Sequence, residues 1–433
     1  MSEQSPVVRR RLSPEARRAQ IIESAKAVWS RTGARRATIR DIADEAGVTE
    51  NFVYQMFRSR EEIFKLAVLD PLNASLKRLA EQIRAIGSDA DFEQADEVCR
   101  RMHQAFLGEV SGMIPLMTAA HFADPVEGPE FYSGKLVPVI RGSILPLMQG
   151  LTGFAPRSVE IDLAVRAVMG AHFAIGLESV LEAEQVDVKR LADDLSTIFR
   201  QGFLRAKAGI RPIGASAESG RISRTMEALP QSAGIGETAP GARRIQLSRT
   251  DRISALNAAA REVFLIHGLT GARSRQLAEK AGITEAFMFR LVESKESLYE
   301  RAVLEPLTAA FSGLATKVDH LARTSGESDF LPSLVGIALP FFIENGPMCV
   351  SALFSELGEG QKYLRQALSP HLRAIEAAIA TRQQFADLAI DARTVRQAIF
   401  GAHWAISFDH ERRPYRVNSA RVVAILGGLL GHR

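Results

Sequence analysis

The sequence predicts an all-α protein made of two similar helical halves. Three observations predict it. Apolar residues recur mostly at three- and four-residue spacing, and strand-like alternation is scarce. The ungapped stretch from Ile21 to Ile83 occurs twice: Gly47, Phe52 and Pro71 have counterparts in Gly282, Phe287 and Pro306, each 235 positions on (282 − 47). Further along, Gly170-Ala-His172-Phe173-Ala-Ile175 returns as Gly401-Ala-His403-Trp404-Ala-Ile406, 231 positions on (401 − 170). A register held over so many positions reads as a tandem duplication. The slip in offset, through 232 for Phe122 with Phe354 and Pro138 with Pro370, reads as short loop deletions.

Composition bounds the possibilities. The chain has 433 residues and is 46% hydrophobic, enough for a core in each half. A net charge of +4 permits a polyanionic partner without demanding one. Cys99 and Cys349 fall in different halves and make no metal-ligand spacing. No metal or cofactor is expected, and a reduced, cytoplasmic setting is. The N-terminus has arginines but no apolar leader core, and no uninterrupted apolar run reads as a bilayer span, so no membrane partner is expected.

In chain order, residues 1–12 read as a basic arm containing Arg9-Arg10-Arg11. Ser13-Pro14-Glu15 opens a first helix with Ile21, Ile22, Ala25 and Trp29 on one face, ending near Gly33. Thr38 with Asp41 is a capping box for a second helix, lined by Ile39, Ile42, Ala43 and Ala46. Gly47 makes a tight turn, Val48 plugs the core, and Thr49 caps a third helix running to about Phe57. Ser59 with Glu62 is a further capping box, for a fourth helix. Short helices with a tight glycine turn before the third follow the helix-turn-helix plan.

In that plan the third helix enters a DNA groove. Its exposed face would carry Thr49, Glu50, Asn51, Phe52, Tyr54 and Gln55. Asn51 and Gln55 suit adenine edges, and Phe52 suits a thymine methyl. Arg36, Thr38, Arg40, Tyr54 and Arg60 suit phosphates. The corresponding positions of the second copy are Arg273, Arg275, Thr284, Glu285, Ala286, Phe287, Phe289, Arg290 and Lys295. A solvated surface face is the plainer alternative for any isolated helix of this kind.

Residues 13–68 resemble the TetR family of bacterial transcription regulators. The resemblance rests on Ala46-Gly-Val-Thr49, Tyr54, Phe57 and the Ser59-Arg60-Glu61 start of the fourth helix. Residues 251–303 resemble it less well, with Arg273 in place of Thr38 and Phe289 in place of Tyr54. The resemblance implies, in each half, a DNA-binding domain followed by a helical ligand-binding and dimerisation domain. The expected domains are 13–70 and 242–305 for DNA binding and 71–209 and 306–433 for regulation, with a Gly/Pro-rich linker at 210–241.

The helical bodies match no motif beyond each other. Met and Phe at helical spacing mark a candidate ligand cavity: Met113, Met117, His121, Phe122, Phe131 and Met169 in the first body, Phe341, Phe342, Met348 and Phe354 in the second. Such residues are more often plain core. His172, Phe173, His403 and Trp404 lie where the family builds its dimer bundle. Helices near 158–181 and 391–410, with 186–206 and 416–430, are expected to pair within one chain as a pseudo-dimer, a homodimer of chains being the alternative. The expected function is a transcription regulator, a repressor relieved by a hydrophobic or amphipathic effector, acting on double-stranded DNA. The alternative is a ligand- or partner-binding protein with one or both DNA units vestigial. No Ser-His-Asp arrangement, metal spacing or phosphate loop points to an enzyme; Gly234-Ile-Gly236 follows no strand.

Overall fold

The computed structural model describes residues 13–32, 37–91, 94–122, 134, 137–152, 159–206, 249–354, 357–387 and 389–410. Among them every regular element is a helix. The basic arm, the linker at 210–241, Gly33, Arg36, Phe131 and the helix expected at 416–430 lie outside the described residues, as do the side chains of His121 and Phe122.

Helix α1 (Pro14–Thr32) begins where the Ser13 hydroxyl accepts the Ala16 N–H at 3.1 Å. Helix α2 (Ile39–Ala46) is held by the capping box: Thr38 Oγ1 accepts the Asp41 N–H at 3.1 Å, and Asp41 Oδ2 accepts the Thr38 N–H at 2.7 Å. Gly47 turns the chain at φ +64°, a conformation that costs glycine little. Helix α3 (Glu50–Met56) follows, with Thr49 accepting the Phe52 N–H. Ser59 caps α4 (Arg60–Phe64), but the expected box is only half formed. Glu62 turns its carboxylate to the Arg58 N–H and the Arg18 guanidinium, both at 2.7 Å, because a cation outcompetes a second backbone donor.

A π-helical turn at Lys65–Leu69 carries α4 into α5 (Asp70–Ser88). Pro71 stands just beyond it and has no N–H for the α-helical ladder, so the register widens there. The first body continues with α6 (Ala95–Met117), α7 (Val137–Thr152), α8 (Val159–Glu182) and α9 (Val188–Ala206).

The second half opens with α10 (Arg249–Gly271), kinked at Gly268 with φ +65°. It proceeds through α11 (Ser274–Lys280), the left-handed Gly282, α12 (Glu285–Leu291) and α13 (Lys295–Tyr299). A π turn at Glu300–Leu304 precedes Pro306 in α14 (Glu305–Thr324). Then come α15 (Glu327–Phe354), α16 (Leu357–Tyr363), a π turn at Leu364–Leu368 before Pro370, α17 (Ser369–Ala380), α18 (Gln383–Ala386) and α19 (Ala392–His410).

The most extensive helix–helix contact is α8 against α19, and the two run antiparallel: Gly170 meets Gly401, Glu178 meets Arg396 and Glu182 meets Arg393. Helix α8 also packs on α6, and α19 on α15 and α17. Helix α16 reaches across to both α1 and α8. Leu163–Glu182 and Asp329–Phe354 are long and apolar enough to cross a membrane, although charged residues interrupt both, so neither is an unbroken apolar run. In the most apolar 18-residue stretch of each, 72% and 56% is buried inside the protein, as in core helices. Arg166, His172 and Glu178 interrupt the first of them, and Asp329 and Glu344 flank or interrupt the second.

Candidate nucleic-acid interface and interhelical cavity

Helix α3 buries Val53 and leaves Thr49, Glu50, Asn51, Tyr54 and Gln55 exposed on the opposite side, with Phe52 half-buried. Tyr54 is 54% exposed, unusual for a tyrosine in a packed domain. Behind α3, Ile21, Ala25, Trp29, Ile42, Ala43, Ala46, Phe57 and Ile63 form a continuous core that fixes its angle. Helix α12 is built in the same way: Met288 is buried, and Thr284, Glu285, Ala286, Phe289 and Arg290 are exposed. Phe287 is half-buried, with the Arg290 guanidinium 5.2 Å from its ring centroid.

The phosphate candidates divide into two groups. Thr38 and Arg40 are exposed, Arg40 lying 3.9 Å from Asp44. Arg273 and Arg275 are exposed too, with Arg275 on Glu279 at 2.8 Å. Arg60 is half-buried, donating to the Ala37 carbonyl at 3.3 Å and lying over the Trp29 ring. Lys295 donates to the Ala272 carbonyl at 3.3 Å. Arg60 and Lys295 therefore fasten the start of α4 and α13 to the loops before α2 and α11.

The bodies meet along α8 and α19. A cavity of about 90 Å³ opens in this seam. Phe173, Leu177 and Leu181 of α8 line one wall; Phe342, Leu353, Phe354 and Trp404 are among those lining the other. Phe173 stacks on Trp404 with ring centroids 5.0 Å apart, and Phe354 lies 5.6 Å from both rings. Of the ligand candidates, Phe342 and Phe354 reach this cavity. Phe341 packs edge-on to Phe311 and Phe342 beside it. Met113 and Met348 are buried core, while Met117 and Met169 are partly buried against it. Cys349 also lines the cavity, and burial pushes its thiol up to about 12, so it remains a thiol.

The two seam histidines differ in their partners. His172 donates from Nδ1 to the Val168 carbonyl at 2.6 Å. Its Nε2 then accepts from His103 Nδ1 at 3.0 Å, leaving His103 Nε2 to accept from the Cys99 thiol at 3.4 Å. His403 makes the same Nδ1 bond, to the Ile399 carbonyl, but its Nε2 has no partner. Burial pushes both His172 and His403 down to about 4, so both are neutral at pH 7.

Sequence reading missed the charges at the seam. Arg396 grips Glu178 with two bonds of 2.7 Å and Glu376 with a third, also of 2.7 Å, while Gln397 donates to Glu178 at 2.9 Å. Arg393 spans Glu182 and Glu184. Burial alone would raise the Glu178 carboxyl. The charge and hydrogen bonds of Arg396, with Gln397 and Arg393, outweigh it and hold the group below the ordinary carboxylate range. The available signal was Glu178 within the apolar run from Ala167 to Leu181, and the pair Arg393 and Arg396 one turn apart ahead of the apolar run of α19.

The family match falls in the first unit. Residues 21–67 match the family model for bacterial regulatory proteins, tetR family. An uncharacterized HTH-type transcriptional regulator, YfiR of Bacillus subtilis, is 35% identical over 65 residues, 15% of this chain and 32% of that protein. The HTH-type transcriptional regulator TtgR of Pseudomonas putida is 41% identical over 73 residues, 16% of this chain and 34% of that protein. The probable HTH-type transcriptional regulator ArpR of the same species matches to the same extent. This chain thus spans about a third of the length of the curated relatives it matches. Residues 21–67, with α2, Gly47 and α3 at their centre, are a tetR-type regulatory N-terminal domain.

Proposed function

We propose that this chain is a cytoplasmic, ligand-responsive transcription regulator whose two halves arose by tandem duplication and act together as an intramolecular pseudo-dimer. The observation that carries the DNA-binding reading is the exposed Thr49–Gln55 face of α3, capped and backed by a rigid core inside the tetR-type stretch. Helix α12 carries a second face of the same design, on residues that keep the 235-position register. The domains are 13–70 and 242–305 for DNA, and 71–209 and 306–433 for regulation, joined by the linker at 210–241.

In this reading α3 and α12 each enter a major groove, and Thr38, Arg40, Tyr54, Arg273 and Arg275 hold phosphates. Pairing is carried by α8 and α19. The effector is an uncharged, largely apolar molecule in the seam cavity, because the only charges in its lining, Glu178 and Arg396, already satisfy each other. An occupant touches α8 on one side and α15 and α19 on the other, so it shifts the angle between the halves and hence the spacing of the reading helices. Such an effector acts only if its affinity differs between the two arrangements. The natural sense of this coupling is repression relieved by ligand.

The test is a nuclease footprint on the DNA upstream of the chain's own gene, with and without uncharged hydrophobic compounds. A protected site that weakens on addition of such a compound is the expected result. No protection at any site would leave the bodies as the functional part and the reading wrong.

A further inference from the structure

We propose that the buried cluster of Glu178, Arg393, Arg396 and Gln397 is a partner-choice lock: it admits pairing of α8 with α19 and rejects pairing of α8 with a second α8. The proposal rests on the intramolecular pairing proposed above and adds what specifies it. Glu178 and Arg396 are 8% and 2% exposed, so neither charge has water to fall back on. The acids of α8 and the loop after it face donors of α19 across one seam: Glu178 on Arg396 and Gln397, Glu182 and Glu184 on Arg393. At the edge, Arg190 meets Asp391 at 3.0 Å, and Thr394 donates to Asp194.

The two helices are otherwise interchangeable in the middle. Gly170 and Gly401 approach each other equivalently, and Ala405 and Ala174 occupy matching places against them. Small residues at a close crossing set the distance but give no reason to prefer one partner. The charges give that reason. The positions of α8 that correspond to Arg396, Gln397 and Arg393, 231 earlier (396 − 165), are Val165, Arg166 and Asp162. Two copies of α8 paired in the same antiparallel register would set Glu178 beside Val165, where the bidentate arginine should be, and Glu182 beside Asp162. The cation nearby, Arg166, would stand in the place of Gln397. Each chain would bury a carboxylate without its main partner, twice per dimer by symmetry. A buried carboxylate stripped of its bidentate partner weighs against the wrong pairing, while the right pairing keeps all its bonds.

The test uses the full chain and its mass in solution. Glu178→Arg and Arg396→Glu each bring like charges together at the buried point. Alone, each variant is expected to melt well below the unaltered chain. Refolded together in equal amounts, they are expected to exchange halves into a complex of twice the 47.3 kDa chain mass, with melting restored. There the arginine introduced at 178 meets the glutamate introduced at 396, and the other seam is the native one. A mixture that stays at the single-chain mass overturns the proposal, as does either variant melting like the unaltered chain.

If charge reversal prevents folding, the combined Glu178→Gln and Arg396→Met chain takes its place. A neutral seam is expected to keep the fold but lose the choice, giving both single and double mass. A population as uniformly single as the unaltered chain overturns the lock. The unaltered chain's own mass separates the two ideas: a stable dimer there refutes the intramolecular pairing itself, whatever the variants do.

Discussion

The backbones of Gly170 and Gly401 touch. A Cβ built on Gly170 would lie 2.1 Å from the Gly401 carbonyl oxygen, and one on Gly401 would lie 2.1 Å from the Gly170 oxygen. No side chain larger than hydrogen fits either place without the helices separating. Separation would pull Phe173 off Trp404 and stretch the Glu178–Arg396 bonds together.

The first prediction follows from that contact. Gly170→Ala and Gly401→Ala should each destabilise the chain by about 3 kcal/mol, at the upper end of overpacking costs. Gly112→Ala is the control, since its helix position is open and alanine there should gain roughly 1 kcal/mol. Urea unfolding of the three variants decides it. Equal midpoints for Gly401→Ala and Gly112→Ala would remove the close crossing.

Glu178 gives a pH dependence. Its carboxyl is held below the ordinary range in the folded chain, so its contribution is complete above the unfolded value of about 4.3. That contribution is lost as pH falls through the lower folded value. Glu178→Gln should therefore cost about 3–5 kcal/mol at pH 7, the usual loss when one partner of a buried pair is removed. The difference from the unaltered chain should shrink below pH 4. A difference that stays constant down to pH 3 would show that the charge is not what matters.

The histidines give a second pH window. The folded values of His172 and His403 lie near 4, below the unfolded value near 6.5. The unfolded chain thus takes up protons first, and stability falls as pH drops from 6.5 to 4. Each histidine that stays neutral contributes a slope of about 1.4 kcal/mol per pH unit. His172→Leu should also cost about 1–3 kcal/mol at pH 7, by stripping His103 Nδ1 of its acceptor. His403→Leu removes an unpartnered acceptor and should be neutral or stabilising at pH 7, while flattening the acid slope. The reverse ranking at pH 7 would mean that His403 Nε2 has a bonding partner.

The cavity predicts a selective loss. Leu353 lines it and is 8% exposed, so Leu353→Trp should fill the space. Calorimetry should then show binding of uncharged apolar compounds abolished, with unfolding temperature little changed. A hydrophilic, strongly charged effector that binds equally to both chains would place the ligand elsewhere.

The sequence made the helices legible wherever a local rule decides them. Thr38, Thr49 and Ser59 cap through hydrogen bonds between neighbours, and Gly47 needs a left-handed turn, so these could be read before any coordinates. The seam could be read only in outline. Gly170 and Gly401 are unremarkable until two helices cross at that point, and Glu178 and Arg396 are 218 residues apart in sequence. Arg60 suits a phosphate in the sequence because it is a cation near the helix start. Its bond to the Ala37 carbonyl depends on a loop whose path no local pattern encodes. The cavity is half legible: helical spacing points to Phe342 and Phe354, whereas in the sequence Phe173 and Trp404 mark only the pairing surface.

The last prediction concerns the operator. Two paired halves with different reading faces should want two different half-sites. Helix α3 presents Glu50, Asn51, Tyr54 and Gln55, and α12 presents Glu285, Ala286, Phe289 and Arg290, at matching positions. Gln55 suits an adenine and Arg290 a guanine at the equivalent base pair, a discrimination of about 1–3 kcal/mol each. Tyr54→Phe should remove one phosphate bond, about 1 kcal/mol, whereas Phe289→Tyr should not weaken binding. The protected site should therefore be asymmetric, and one chain should shift it. Arg290→Gln should move the preference of one half-site only, from guanine toward adenine, and leave the other half unchanged. Selection of bound sites from random DNA, done for the unaltered chain and for Arg290→Gln, reads this directly. A perfect palindrome recovered by the unaltered chain, bound by two chains through two copies of α3, would overturn both the asymmetry and the pairing behind it.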